Sequence, residues 1–356
     1  MSETVRNYVT EPVSAGPDRG GQTRPRSSWG RAAAPFRAFA RLTIVRVATR
    51  RLLLAIPLLF VVSILTEILV SLIPGNPGYV LLGSTATPSQ VAALDQRLGL
   101  TLPLYEQYWH WLRSALTGNL GTSFYTGQPV LQAIQSSIWV TISLMVGTLV
   151  ISLTAGVALG VISAVRGGVL ARFLDAFALL GFALPGFWIG AELIRIFAVK
   201  LRLFPAVGYV SFGQSPAQWL HSLFLPVVAL AFGGIAFFAK QTREAMLDAL
   251  GSEYITMARA SGVSARAIVW RHALKNCLVR VVTVLGIEAV FLISGTVIIE
   301  FVFGLPGLGS LAATAAGNHD IIMMQGVVVV YTLMVVAINL IVDVAYSLLD
   351  PRVGVK

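Results

Sequence analysis

Six apolar stretches separated by polar ones run along most of the chain: 52–73, 138–165, 173–199, 220–238, 281–303 and 322–349. Each is long enough to cross about 30 Å of hydrocarbon as a helix, and the pattern predicts six membrane spans. The alternating segments of about ten residues that make a membrane β-barrel are absent. The polar stretch after the first span, 74–137, carries helix signals of its own. Thr87-Pro88-Ser89-Gln90 reads as an N-cap, a proline at the first helical position and a capping-box partner, with Gly99 as the end of that helix. A second amphipathic helix is predicted over 104–116, with Tyr105, Tyr108, Trp109 and Trp111. Those aromatics suit a membrane-interface belt, and alternatively a docking surface for an external partner.

The stretch 240–276 stands apart from the spans on either side. Seven Lys or Arg up to Arg280 face three acids, Glu244, Asp248 and Glu253. Met246, Leu247, Leu250, Tyr254 and Met257 or Ala258 recur at spacings of three and four, which predicts an apolar stripe on a helix. Ser252 can cap a helix that Gly262 ends, and Ser264 can cap a second one. A pair of short helices between two spans fits a surface built to meet another protein. The same pattern also fits a solvated loop with some helix in it.

Composition agrees with a membrane protein. Apolar residues make up 56% of the 356 and charged residues 12%, with a mean hydropathy of +0.78, against about a quarter charged in a soluble domain. The net charge of +10 sits in the tail and loops. It is accounted for by orientation in the membrane, with no nucleic-acid partner. Ten Lys and Arg before residue 52, Arg166 and Arg172, the seven of the central stretch, and Arg352 and Lys356 fall on one side. Arg97, Arg113, Lys200 and Arg202 fall on the other, so both termini are expected in the cytoplasm. Residues 1–45, Arg-rich and without an apolar period, are expected to be a disordered cytoplasmic tail able to lie on anionic lipid, and residues 46–356 to form the membrane domain. The lone Cys277 excludes an internal disulfide.

The chemistry of an enzyme is missing. His110, His221, His272 and His319 show no metal-ligand spacing, and neither a metalloprotease pair nor a phosphate loop occurs. Gly304-Leu305-Pro306-Gly307-Leu308-Gly309 follows a span rather than a strand, so a nucleotide site is not expected there. Any energy source must come from another subunit. Within the spans, Glu288 reads either as a polar spot on a substrate route or as a structural acid, and Glu67 as a structural acid. Arg195 is expected to snorkel. Pro185 is expected to kink its span on a face turned to the bundle.

The residues 243–276, REAMLDALGSEYITMARASGVSARAIVWRHALKN, resemble the cytoplasmic loop of binding-protein-dependent transporter permeases, in the dipeptide and oligopeptide branch with its nickel and glutathione relatives. Arg243, Tyr254, Ala258, Arg259, Ala260, Gly262, His272 and Asn276 carry the likeness. Thr256-Met257-Ala258 stands where the general signature has Glu-Ala-Ala, and Lys275 where it often has Pro. Further matches run from Arg50 to Val353: Pro74-Gly75-Asn76-Pro77 with Asn for the usual Asp, Leu98-Gly99-Leu100, Pro103, 118–123, Gly295, Glu300, Phe303, Pro306, Gly307, Gly309, Asp320, Gln325-Gly326, Asn339, Asp343 and Asp350-Pro351-Arg352. The long outer loop resembles that of the first of the two permeases in such systems.

The resemblance implies an all-α integral membrane protein of the type I ABC importer permease fold. It implies a permease subunit of an ATP-driven peptide importer in the bacterial cytoplasmic membrane, not itself an enzyme. Alternatives are a nickel or small-solute permease, and an ATP-independent channel or scaffold. The expected partners are a second permease, two ATPase subunits that hold the ATP and Mg, an external substrate-binding protein and membrane lipid; no cofactor is expected on this chain. The resemblance assigns ATPase coupling to Glu253, Tyr254, Ala258, Arg259, Ala260, Gly262, Arg266, His272 and Asn276 within 240–280. It assigns an outer gate or binding-protein docking to Glu300, Phe303, Pro306, Gly307, Gly309 and Asp320. Pro185, Phe187, Glu288 and Gly295 are candidates for the substrate pathway.

Overall fold

The computed structural model describes residues 33–83 and 85–349. Contacts divide the chain between Leu42 and Thr43, and the fold set out below is that of the larger unit. Of the predicted disordered tail, 1–45, residues 1–32 lie outside the described residues and 33–45 are helical, and Asp350, Pro351, Arg352 and Lys356 also lie outside them. Among the described residues the chain is helical: α1 (Ala33–Ser71), α2 (Pro77–Leu82), α3 (Pro88–Arg97), α4 (Leu104–Leu116), α5 (Val130–Arg166), α6 (Gly168–Ala183), α7 (Gly186–Leu193), α8 (Pro216–Leu250), α9 (Glu253–Ala260), α10 (Ala265–Ala267), α11 (Leu274–Val302), α12 (Leu308–Gly317) and α13 (Ile321–Leu349).

Among the described residues five helices are long and apolar enough to cross a membrane: Ala48–Ser71, Val130–Arg166, Pro216–Leu250, Ala265–Val302 and Ile321–Ala345. The third predicted span is a broken pair, Ala171–Gly181 and Gly186–Lys200, bent by 98°. The break falls at Leu184–Pro185, where the proline ring removes an amide and disfavours helix in the residue before it. Pro185 itself is exposed, so the kink does not turn this residue into the described bundle as expected. Contact with the bundle comes instead from the next turn: Gly190 lies so close to Phe303 that a Cβ would stand 3.0 Å from its ring.

The spans overrun their predicted edges for a reason visible in the residues. Hydropathy ends the fourth span at residue 238, but Lys240, Gln241, Arg243, Glu244, Ala245, Met246 and Leu247 are strong helix formers with no breaker before Gly251. α8 therefore continues to Leu250. At the other side of the central stretch, α10, a π-helical segment (Ile268–Ala273) and α11 join into one helix, Ala265–Val302. The predicted apolar stripe consequently does not lie on one helix. Gly251 interrupts it, Met246 is in the core of α8, and Met257 is 72% exposed.

α5 and α8 form the spine. Three apolar clusters run along α5: Val140 and Leu144 with Leu225, Ile299 and Phe303; Val161 with Phe238, Met246 and Val281; and Val130 and Ile134 with Leu308 and Val327. The two spine helices approach closely where Gly156 and Gly160 sit four residues apart on one face of α5. A Cβ on Gly156 would lie 2.5 Å from Phe238 Cβ, and one on Gly160 would lie 2.6 Å from Ala239 O. The outer-loop helices match expectation. Thr87 makes the capping box with Gln90, and Gly99, at φ +73, ends α3 with Leu100 N donating to Asp95 O.

Gly160→Val should wedge α5 off α8 at a cost of about 1–3 kcal/mol, the range for overpacking. A fall in the thermal midpoint of the detergent-purified protein is expected, with Gly213→Ala, where a Cβ meets nothing within 4 Å, unchanged.

Candidate coupling surface and helix clamp

The central stretch folds as two short helical segments around a tight reversal. Ser252 stands at the N-cap of α9, but its hydroxyl donates to Ala249 O at 2.5 Å rather than accepting from α9, a correction to the expected cap. Ser264 does accept from Ala267 N. Gly262 has φ +78; its N–H donates to Arg259 O and Val263 N–H to Ala258 O, the bond pattern of a Schellman C-cap.

Ile255, Ile268 and Ala273 bury one side of this element. The other side exposes Glu253, Tyr254, Arg259, Ala260, Gly262 and Arg266, with Ala258 and His272 half-buried. Asn276 Nδ2 donates to Tyr254 Oη at 2.5 Å, so two of the predicted residues join α9 to the base of α11. Arg280 reaches Asp248 at 3.1 Å and Glu244 at 3.7 Å, closing α8 onto α11, and Arg243 pairs with Asp175 of α6 at 2.8 Å. Trp270, 60% exposed, borders a shallow groove with Ser264, Arg266 and Ala267. Sequence reading passed over it, although a Trp four residues from Arg266 on a polar helix face is the signal of a contact residue.

At the far end of the same helix, Glu300 has no exposed surface. Its Oε1 accepts from Thr141 Oγ1 at 2.7 Å, and its Oε2 accepts from Gly309 N at 2.7 Å and Ser310 N at 3.1 Å. Thr141 Oγ1 in turn accepts from Leu308 N at 2.9 Å. The first three amides of α12, which have no partner within their own helix, are all satisfied by α5 and α11. The glycines follow from this. A Cβ on Gly307 would lie 2.2 Å from Glu300 Cδ, and one on Gly309 2.4 Å from Val297 Cα. Phe303 is buried under Gly190, while Pro306 is exposed.

Asp320, buried beyond the other end of α12, caps α13. It accepts from Met323 N at 3.2 Å and from Phe124 N at 3.4 Å, and the Ser123 hydroxyl donates to it, which fastens the 118–123 loop. Glu67 accepts from Gln325, and Arg51 pairs with Asp343 at 2.6 Å, so α1 is joined to α13 at two levels. Gln325 thus meets one oxygen of Glu67, in keeping with the expected hydrogen-bonded acid. Arg195 pairs with Glu192 at 2.5 Å. Thr141, which shares the clamp with Glu300, carried no signal in its own sequence neighbourhood.

The four substrate-path candidates occupy two settings. Glu288 and Gly295 lie on the α8-facing side of α11, where a Cβ on Gly234 would meet Glu288 Oε1 at 2.8 Å and one on Gly295 would meet Leu230 at 3.3 Å. Pro185 and Phe187 are exposed at the kink between α6 and α7.

Comparisons with known proteins agree with this architecture. The family described as binding-protein-dependent transport system inner membrane component matches residues 156–355, and the N-terminal model of such membrane components matches 44–145. A probable peptide ABC transporter permease protein of Sinorhizobium fredii is 43% identical over 305 residues, covering 85% of this chain and 97% of that protein. A glutathione transport system permease protein of Escherichia coli is 35% identical over 308 residues, covering 86% and 98%. A dipeptide transport system permease protein of Alkalihalophilus pseudofirmus is 35% identical over 327 residues, covering 86% and 98%. Among solved structures, an inward-facing form of the MetNI methionine ABC transporter aligns with a TM-score of 0.50 at 18% identity, over 62% of this chain and 97% of that one, a likeness of fold. With its matched helices and its multi-pass architecture, the chain belongs to the family of binding-protein-dependent transport system inner membrane components.

Proposed function

We propose that the chain is the permease subunit of an ATP-driven importer of peptides, working with a second permease, two ATPase subunits and an external substrate-binding protein. Family membership implies a partner permease, an ATPase and a binding protein in general. The peptide cargo is supported by relatives named for peptide, dipeptide and glutathione transport. Placement in a bacterial inner membrane is supported by the family's description, and cytoplasmic termini by the distribution of Lys and Arg.

The observation that carries the mechanism is that one helix, Ala265–Val302, has the exposed coupling surface at its start and the Glu300 clamp at its end. ATP bound with Mg on the partner ATPases would supply the energy through its binding and hydrolysis. α9 and α10 take up displacement of the ATPases through Glu253, Arg259, Ala260, Gly262, Arg266 and Trp270. The Tyr254–Asn276 bond and the Arg280 pairs keep that displacement from being absorbed in a flexible joint. α11 then carries it to α12, which gates or receives the substrate from the docked binding protein. The whole is a two-state rocking between inward- and outward-facing forms.

Gly262→Asp should reduce ATP-driven uptake to background with normal membrane levels. Asp is among the residues that tolerate a positive φ, so the effect comes from bulk and charge at the ATPase surface. Uptake at wild-type rate with normal levels would refute the coupling role. Glu300→Ala leaves the Gly309 and Ser310 amides without their acceptor, at about 1–3 kcal/mol each. Protease should then cleave within 304–317 roughly tenfold faster or more, and uptake should fall. Pull-down of the tagged chain should retain an ATPase and a second permease; a solitary chain, or transport that persists without nucleotide, would favour a channel or scaffold.

A further inference from the structure

A cavity of about 400 Å³ lies among α1, α3, α4 and the start of α13, apart from the coupling surface and the clamp. Its size falls in the range of small-molecule sites, about 300–1,000 Å³. Glu67 and Gln325 line it from the membrane side of the chain, at 4% and 1% exposure. Gln325 Nε2 occupies Glu67 Oε2, and among the described residues no donor reaches Oε1. A carboxylate this buried is costly unless its lone pairs are met, and a charged donor meets them best.

The rest of the lining supplies the complementary features. Arg97, in the last turn of α3, is exposed and has no hydrogen-bond or ion-pair partner among the described residues. Its planar fork suits a carboxylate or a phosphate. Trp111, Phe124 and Leu102 add apolar wall to the same cavity.

We propose that this cavity binds a small zwitterion carrying a primary ammonium and an anionic group, with the ammonium on Glu67 and the anion on Arg97. The chemistry is that of a free amino acid or short peptide, and equally that of a phosphatidylethanolamine headgroup. It does not depend on the cargo of the importer.

The test uses the full chain in its assembled complex, without binding protein, in nanodiscs of phosphatidylcholine, whose quaternary headgroup has no N–H to donate. Dialanine is titrated by calorimetry beside N-acetyl-dialanine. A second arm adds phosphatidylethanolamine and counts retained lipid by native mass spectrometry. Saturable dialanine binding, weakened about tenfold or more by N-acetylation and by either Glu67→Gln or Arg97→Gln, supports the site with a free solute as its ligand. Retained phosphatidylethanolamine, lost in Glu67→Gln and Arg97→Gln, supports it with the lipid as its ligand. Glu67→Gln keeps a polar partner for Gln325, and Arg97 is on the surface, so both variants are expected to fold. Binding of neither probe, equal binding of the acetylated form, or binding unchanged in both variants overturns the proposal.

Discussion

A carboxylate with no exposed surface has to be satisfied by its own chain, and Glu300 fixes the geometry of everything around it. Its two oxygens take the Thr141 hydroxyl and two amides of α12, and through Thr141 a third. α5, α11 and α12 are thereby set at one distance and one rotation, because a carboxylate accepts at hydrogen-bond length or leaves costly orphans. Gly307 and Gly309 are then required for space, since side chains there would occupy the position of the carboxylate or of Val297. The turn 303–307 is also tied through its backbone: Leu305 N donates to Glu300 O, and Phe303 O accepts from Gly208 N.

The clamp gains meaning from the helix that bears it. Ala265–Val302, at 1.5 Å per residue, is about 57 Å long. Its first turns present Arg266 and Trp270 outward, and its last turns hold α12. A continuous helix transmits displacement better than two helices joined by a loop, which would bend. The ties at its base, Asn276 to Tyr254 and Arg280 to Asp248 and Glu244, attach α9 and α8 to it.

Much of this was legible in the sequence, and the exceptions share a physical cause. Local signals read correctly: the Thr87 capping box, the Gly99 and Gly262 helix ends, and the helix over Leu104–Leu116 depend on a few consecutive residues. Hydropathy located the spans but not their ends, because helix formation outlasts apolarity wherever the following polar residues are good helix formers, as in Lys240–Leu250. What local pattern could not give was pairing across sequence distance. The Thr141–Glu300 bond joins residues 159 apart and the Glu67–Gln325 bond residues 258 apart. The small-residue seam at Gly156 and Gly160 does carry a signal, the four-residue spacing of glycines within an apolar run.

The polar side chains at span level divide by what they join. Glu300 and Asp320 each connect elements far apart in sequence, and both oxygens of each are taken by donors of their own chain, whereas Glu67 gives one oxygen to such a tie. Glu288 differs. It lies against Gly234 and beside Ser152 on the α5–α8–α11 seam, where glycine leaves room for its carboxylate. It is half-buried there, packed against helices of its own chain. A route shared with a partner permease would instead be lined by the outward faces of α11 and α13, where Thr283, Ser294 and Asn339 border a groove with Ile287 and Phe291. Of the polar residues on α11, Glu288 and Glu300 are met by α8 and α5, while Thr283 and Ser294 are exposed and border that groove.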